Sequence, residues 1–300
     1  MFSTVDLKRG AKRAALKTAS FTGGTFPSLS LGLLKSLRIG YGPFHPSGGQ
    51  TWRGGTPACV SIDFDVTRES RFEDNRAGTL ALLLLAEKYK IPITWAVCGV
   101  AAENDMKSFG AIRESPGHEL GVHTYAHLDA TSVNAADFRD DVQRCIQALG
   151  IDTPRTFVFP WNREGHMEVI RSFGFRGFRG KKRAIGVPVT REGLWDIRPV
   201  YYIDQKSLGA EGLIKQFVDF CIESGGIFHL WSHPWSLVID GKTGPMTDTL
   251  DSVFAHIADR RKENKLATLT LGAVASLMDS NERASGTSAG PEHQPDRGVK

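Results

Sequence analysis

Two histidines and two aspartates carry the chemistry of this chain. His123 and His127 stand four residues apart in His123-Thr124-Tyr125-Ala126-His127. On one helical turn that spacing lets both imidazoles bind a single divalent metal. Upstream, Ser61-Ile62-Asp63-Phe64-Asp65 follows the apolar run Ala58-Cys59-Val60 and reads as a strand delivering two carboxylates at its C-terminal end. Side chains alternate along a strand, so Asp63 and Asp65 face the same side and both reach one site. Two imidazoles and one carboxylate make a three-ligand set with an open position, expected of a hydrolytic rather than a structural metal. The second carboxylate is then free to act as a base.

With a third element, Phe228-His229-Leu230-Trp231-Ser232-His233-Pro234-Trp235, these motifs resemble, in their order, the polysaccharide deacetylase family. This is the NodB-homology domain of metal-dependent carbohydrate esterases, with a distorted, incomplete (β/α) barrel. The resemblance spans roughly residues 55 to 280. It implies that Asp63 is the catalytic base, that Asp65, His123 and His127 are the metal ligands, and that His233 is the late acid. Phe159-Pro160-Trp161-Asn162-Arg163 occupies the place of the family's wall motif, which makes Pro160, Trp161 and Asn162 candidate substrate contacts. That motif commonly carries an Arg that orients the base, yet none precedes Pro160; Arg163 or Arg198 is expected to supply the charge. The spacing of the two aspartates by Phe64 occurs in part of the family, and it bears on substrate more than on metal.

The reaction this resemblance implies is removal of an N-acetyl group from an amino sugar of a glycan or glycan precursor, free, polymeric or lipid-linked. An N-acetyl amide resists water because its carbonyl is resonance-stabilised and its amine leaves poorly. A metal on Asp65, His123 and His127 would lower the pKa of a bound water toward about 7 and polarise the carbonyl. Asp63 would take the water's proton, and His233, an imidazole with a pKa near neutral, would protonate the departing amine. Zinc is the first choice for an Asp-His-His set; cobalt, nickel, manganese and iron suit it as well. Tyr125, Trp161, Trp231 and Trp235 are candidates for a sugar platform. His118 reads as a strand-end histidine hydrogen-bonded locally. His229 is too far from His233 along a strand, about 13 Å, to share a metal, and reads as structural or as a support behind the site. Two rivals stand beside the deacetylase: a hydrolase of the same fold acting on a cyclic amide or formamide, and an inert sugar-binding or membrane-docked homologue.

The elements that must position these groups alternate as βα units, predicting an α/β fold of about seven strands in an incomplete barrel. After the first strand comes a helix through Thr79–Tyr89, then a buried strand at Ile91–Val97. Gly117–Val122 leads a strand straight into His123, and a helix over Val133–Leu149 ends at Gly150. Further strands are read at Thr156–Pro160 and Gly226–Trp231, a helix at Met167–Phe173, and a final helix and strand at Leu250–Lys262 and Ala267–Leu271. Every candidate residue thus falls at or just past the C-terminal end of a strand, where barrel enzymes place chemistry.

The expected organisation is a basic segment and irregular arm over 1–54, a catalytic domain over 55–280, and a disordered tail over 281–300. A chain of 300 residues that is 41% hydrophobic can bury one sizeable core. Lys8, Arg9, Lys12, Arg13 and Lys17 crowd one stretch with apolar residues at helical spacing. Residues 5–20 therefore read either as a solvated helix or as a peripheral membrane contact, each cation near anionic lipid being worth about 1 kcal/mol. No secretory signal or apolar stretch of spanning length is present, so the expected location is cytoplasmic or on the inner membrane face. Cys59, Cys98, Cys145 and Cys221 are widely spaced and read as buried apolar residues rather than disulfide partners or ligands. Neither a phosphate-binding glycine loop nor a dinucleotide fingerprint is present, and no nucleic-acid partner is expected.

Overall fold

The computed structural model describes residues 52–66, 71–180 and 185–284. Among the described residues ten strands form one sheet: β1 (Thr56–Phe64), β2 (Ile93–Val97), β3 (Glu119–Val122), β4 (Thr156–Val158), β5 (Gly177–Arg179), β6 (Val189–Arg191), β7 (Leu194–Asp196), β8 (Tyr201–Tyr202), β9 (Phe228–Ser232) and β10 (Leu266–Thr268). The helices are α1 (Phe72–Tyr89), α2 (Gly99–Asn104), α3 (Met106–Glu114), α4 (Ala135–Leu149), α5 (Met167–Ser172), α6 (Glu211–Ser224), α7 (Gly244–Lys262) and α8 (Leu271–Ala284).

The sheet runs β6-β7-β5-β4-β3-β2-β1-β9-β8, with β10 paired to the start of β1. All its pairings are parallel except β6 with β7. Its ends, β6 and β8, do not pair with each other, so the curled sheet is the incomplete (β/α) barrel the motifs led us to expect. It holds ten strands rather than about seven, because β5 to β8 are two or three residues long and too short to show a periodicity.

All nine residues of β1 are buried, as in a central parallel strand covered on both faces. α4 shows how sequence sets a helix here. Asn134 caps its start by accepting from the Asp137 N–H, and Gly150, at φ 63°, ends it in a left-handed turn that glycine adopts at no steric cost. Phe138, Val142, Cys145 and Leu149 recur on its buried face. In α1, Leu82 and Leu85 are buried whereas Leu80 and Leu84 face outward.

The chain end differs from expectation. β10 stops at Thr268, and Leu271 opens α8 instead of closing a strand. Leu271, Val274, Ala275 and Met278 recur at helical spacing and are buried together with Trp195 and Ile197. The helix start is held by polar groups beneath the barrel. Thr94 Oγ1 accepts from the Leu271 N–H at 2.8 Å, and Glu119 Oε2 from the Gly272 N–H at 2.9 Å. Glu119 also accepts from Thr94 and Thr156, which ties β2, β3, β4 and α8 together. α8 runs to Ala284, past the boundary expected at 280.

The basic stretch at 5–20, the arm as far as residue 51 and the tail from 285 lie outside the described residues. Among the described residues no helix is long and apolar enough to cross a membrane.

Candidate functional site

The C-terminal ends of β1, β3, β4, β5 and β9 converge on one buried polar cluster. Asp63 is the penultimate residue of β1 and Asp65 lies just past its end; His123 follows β3, Arg179 closes β5 and His233 follows β9. His127 Nε2 is 3.5 Å from Asp65 Oδ2, and His233 Nε2 is 3.4 Å from the same oxygen. His123 Nε2 and His233 Nε2 each lie 3.9 Å from Asp63 Oδ2. Five residues singled out from sequence therefore meet at one place.

The histidine pair is not on a helix. Residues 123–127 form an irregular loop, with Thr124 at φ 60° and His127 at φ 53°. Two left-handed non-glycine residues within five preclude a helical turn and must be held from outside. The Asp141 carboxylate on α4 accepts from the N–H groups of Tyr125 and Ala126, at 2.6 and 3.1 Å, and Thr124 Oγ1 accepts from the Leu128 N–H at 2.8 Å. The loop still brings the two imidazoles to 5.0 Å between ring centroids.

His123 has the features of a metal ligand. Its Nδ1–H donates to the Val158 carbonyl at 2.7 Å, which leaves the lone pair on Nε2. Nε2 is buried and has no hydrogen-bond partner. Burial holds the ring's pKa down at about 4, so it stays neutral as a ligand must. The same cause lowers His127. Cys98 contributes an unexpected donor: its sulfur, His123 and His127 bring ligand atoms within 4.8 Å of one another. All four cysteines are nonetheless buried and free, as their spacing implied.

Asp63 is paired with Arg179. Nη1 donates to Oδ1 and Nη2 to Oδ2, each at 2.6 Å, with both side chains buried. Burial drives the Asp63 carboxyl upward, but Arg179, His123 and His233 outweigh it and hold the group at about 2. Asp65 is likewise lowered, because the hydrogen bond and charge of His233 and the charge of His123 overcome its burial.

The guanidinium expected from Arg163 or Arg198 is thus Arg179's. Arg163 points outward to Asp129 Oδ2 at 2.5 Å, and Arg198 Nε donates to Asp196 Oδ2 at 3.0 Å. Arg179 was missed because β5 is a three-residue strand between Gly174 and Gly180. A signal existed: after α5 the alternation requires a strand, and Arg179 ends the Phe175 to Phe178 run just before a glycine.

The aromatics divide. Trp161 is 65% exposed and stands 4.7 Å from the His127 ring. It sits at φ 57°, with Asn162 at φ 53°, in the turn opened by the buried Pro160; Asn162 Oδ1 accepts from Arg179 Nη2 at 3.4 Å. Trp235 is half-buried, 4.7 Å from the His233 ring, and the Arg71 guanidinium lies over the Trp235 ring at 4.8 Å. Tyr125 and Trp231 are not platforms. Tyr125 is buried against Arg144, and its hydroxyl donates to Glu103 at 2.5 Å. Trp231 is buried beneath Arg179, 4.1 Å from ring centre to guanidinium, and packs at a tilt against Tyr202. Both aromatic faces are already used by the protein.

His118 and His229 are structural, as read. His118 Nδ1 accepts from the Ile93 N–H at 3.0 Å; His229 Nδ1–H donates to the Ile197 carbonyl at 3.1 Å while Nε2 meets Ser61 Oγ at 2.8 Å.

Residues 54–171 match the polysaccharide deacetylase family model. In fold the chain is similar to a Mycobacterium smegmatis structure named as a polysaccharide deacetylase, with TM-score 0.63 and 18% identity over 85% of this chain and 100% of that one. A Pseudomonas aeruginosa PAO1 structure of the same name gives TM-score 0.61 and 15% identity, over 78% and 93%. A structure named as Puue allantoinase gives TM-score 0.63 and 14% identity, over 80% and 98%. No curated protein matches. The matched segment contains Asp63, Asp65, His123 and His127, so this part of the chain is similar to that family.

Proposed function

We propose that this protein is a metal-dependent hydrolase that removes an N-acetyl group from an amino sugar of a glycan or glycan precursor. The observation that carries this reading is the meeting of Asp63, Asp65, His123, His127 and His233 within 4 Å contacts at the C-terminal rim. Asp65, His123 and His127 would hold the metal. Asp65 completes the set better than Cys98, because its carboxylate is kept ionised, whereas burial pushes the Cys98 thiol up and its S–H donates to the His123 carbonyl. When bound, such a divalent ion, zinc foremost, supplies Lewis acidity that activates a water and polarises a carbonyl.

Asp63 accepts the proton of the attacking water. Arg179 keeps that carboxylate ionised and fixes its plane, so one oxygen stays turned to the site. His233 delivers a proton from Nε2 to the amine nitrogen as the C–N bond breaks. Trp161, exposed beside His127, offers a stacking surface for a sugar ring, whereas the Trp235 ring is already covered by Arg71 and packed against His233. Retention of both base and acid argues against an inert binding homologue, which has use for neither.

A second reading, hydrolysis of a cyclic amide, is favoured by the fold likeness to the allantoinase structure. One experiment separates the two: metal-reconstituted protein offered a panel of N-acetylated glycans alongside cyclic amides. Acetate release is expected; ring opening of the cyclic amides without acetate release would replace the first reading by the second.

A further inference from the structure

His233 is placed by the start of a loop, so something must hold its ring. β9 ends at Ser232, and β8 runs alongside in parallel with Tyr202 paired to Trp231. That register sets the phenol next to the residue two positions further on. Tyr202 Oη lies 3.2 Å from His233 Nδ1 and 3.5 Å from Ser236 Oγ, and its ring packs at a tilt against Trp231 at 4.2 Å between centroids.

Among the described residues, the other edge of the imidazole meets two carboxylates. His233 Nε2 looks onto Asp65 Oδ2 at 3.4 Å and Asp63 Oδ2 at 3.9 Å. A proton on Nε2 satisfies these carboxylates and leaves the Nδ1 lone pair for a donor. Among the described residues the hydrogen-bond partner of Nδ1 is Tyr202 Oη. The phenol is suited to this: burial raises its pKa, so it keeps its proton, and Ser236 can serve its oxygen in turn. The loop itself is clamped. A Cβ at Gly78 of α1 would lie 1.9 Å from the Pro234 carbonyl oxygen, so the glycine lets the helix backbone close directly on the turn after His233.

From this geometry we infer that Tyr202 is the positioning residue for His233: its hydroxyl fixes the ring so that Nε2 is directed at the reacting nitrogen. The hydroxyl donates to Nδ1 of the neutral Nε2–H ring and accepts from Nδ1–H when the ring carries the second proton, the state from which Nε2 gives its proton to the amine. The catalytic consequence rests on the reading of His233 as the acid. The tautomer does not.

The test uses Tyr202→Phe, which keeps the ring contact with Trp231 and removes only the hydroxyl. Zinc-loaded protein with 15N-labelled histidine, His233 assigned by its loss in His233→Ala, reports the tautomer through its two ring-nitrogen shifts. The native protein is expected to show a protonated Nε2 and an unprotonated Nδ1, and Tyr202→Phe a tautomer mixture. Turnover of an N-acetyl sugar should fall about tenfold or more at unchanged KM, with an aryl acetate, whose leaving group needs no proton, cleaved at near native rate. His233→Ala on the same two substrates tests the acid reading by itself: equal losses there refute that reading while the nitrogen shifts still decide the tautomer. Identical His233 shifts in native protein and Tyr202→Phe would overturn the inference, as would native amide turnover in the variant where His233→Ala is amide-selective.

Discussion

Arg179 grips Asp63 with two parallel hydrogen bonds of 2.6 Å, and the Trp231 indole lies against the guanidinium at 4.1 Å. The pair is thus fixed in direction as well as charge, between β1 and β5, strands separated by three others in the sheet. Replacing Arg179 by Met would leave a buried carboxylate uncompensated, at a cost of about 3–5 kcal/mol. Arg179→Lys keeps a charge but not the fork, and is expected to fold, retain metal and lose about one to two orders of magnitude in kcat. Urea denaturation and acetate-release kinetics check both. The double variant Arg179→Met with Asp63→Asn should be more stable than Arg179→Met alone, since it removes the stranded charge; equal stability would show that the pair does not govern the fold here.

Metal and base are expected to separate by mutation. His127→Ala leaves two ligands and should strip the ion and the activity together, whereas Asp63→Asn should keep the ion and lose about 10² to 10⁴ in rate. Metal analysis of the purified variants by mass spectrometry decides. Loss of metal from Asp63→Asn to the same degree as from Asp65→Asn would mean that the two aspartates exchange roles.

The residues that meet at the rim were legible because they sit on long buried strands or directly behind them. β1 is nine residues of apolar run, and period-two alternation then puts Asp63 and Asp65 on one side. What sequence could not show was how chemistry is supported across the sheet. Arg179 and Tyr202 stand on strands of three and two residues, whose direction comes from their neighbours in the ladder rather than from their own pattern. The His123–His127 spacing suggested a helix, but Asp141, fourteen residues past His127, holds the loop's N–H groups and makes the left-handed turns affordable. The platform reading failed for Tyr125 and Trp231 for a related reason: in a sequence, an aromatic that lines a site and one that supports it look alike.

Trp161 should act in binding rather than in chemistry. It is the exposed indole beside His127, on a backbone held in the left-handed region at two successive residues. Trp161→Ala is expected to raise KM about tenfold for a sugar substrate with little change in kcat, because stacking lost equally from ground and transition states costs only uniform binding. Initial-rate kinetics provide the measurement, and a fall in kcat with KM unchanged would instead give Trp161 a part in the transition state.

His229 should make the fold acid-sensitive in a defined window. It is fully buried between Ser61 and the Ile197 carbonyl, and burial, aided by the charge of Arg179, presses its pKa from 6.5 to about 3. Below pH 6.5 the unfolded chain therefore binds a proton there that the folded chain refuses until the pH falls to about 3. Stability must decline as the pH drops through that interval. For one such group the loss between pH 6.5 and 5 is about 2 kcal/mol. His229→Gln can donate to Ile197 and accept from Ser61 but does not titrate, so it should lose less stability than the native protein over the same range, even if its stability at pH 7 is lower. Urea midpoints at pH 7 and pH 5 for both proteins provide the comparison. Parallel pH dependences would place the acid sensitivity elsewhere, with His123, whose pKa is also held below its ordinary value, as the next residue to substitute.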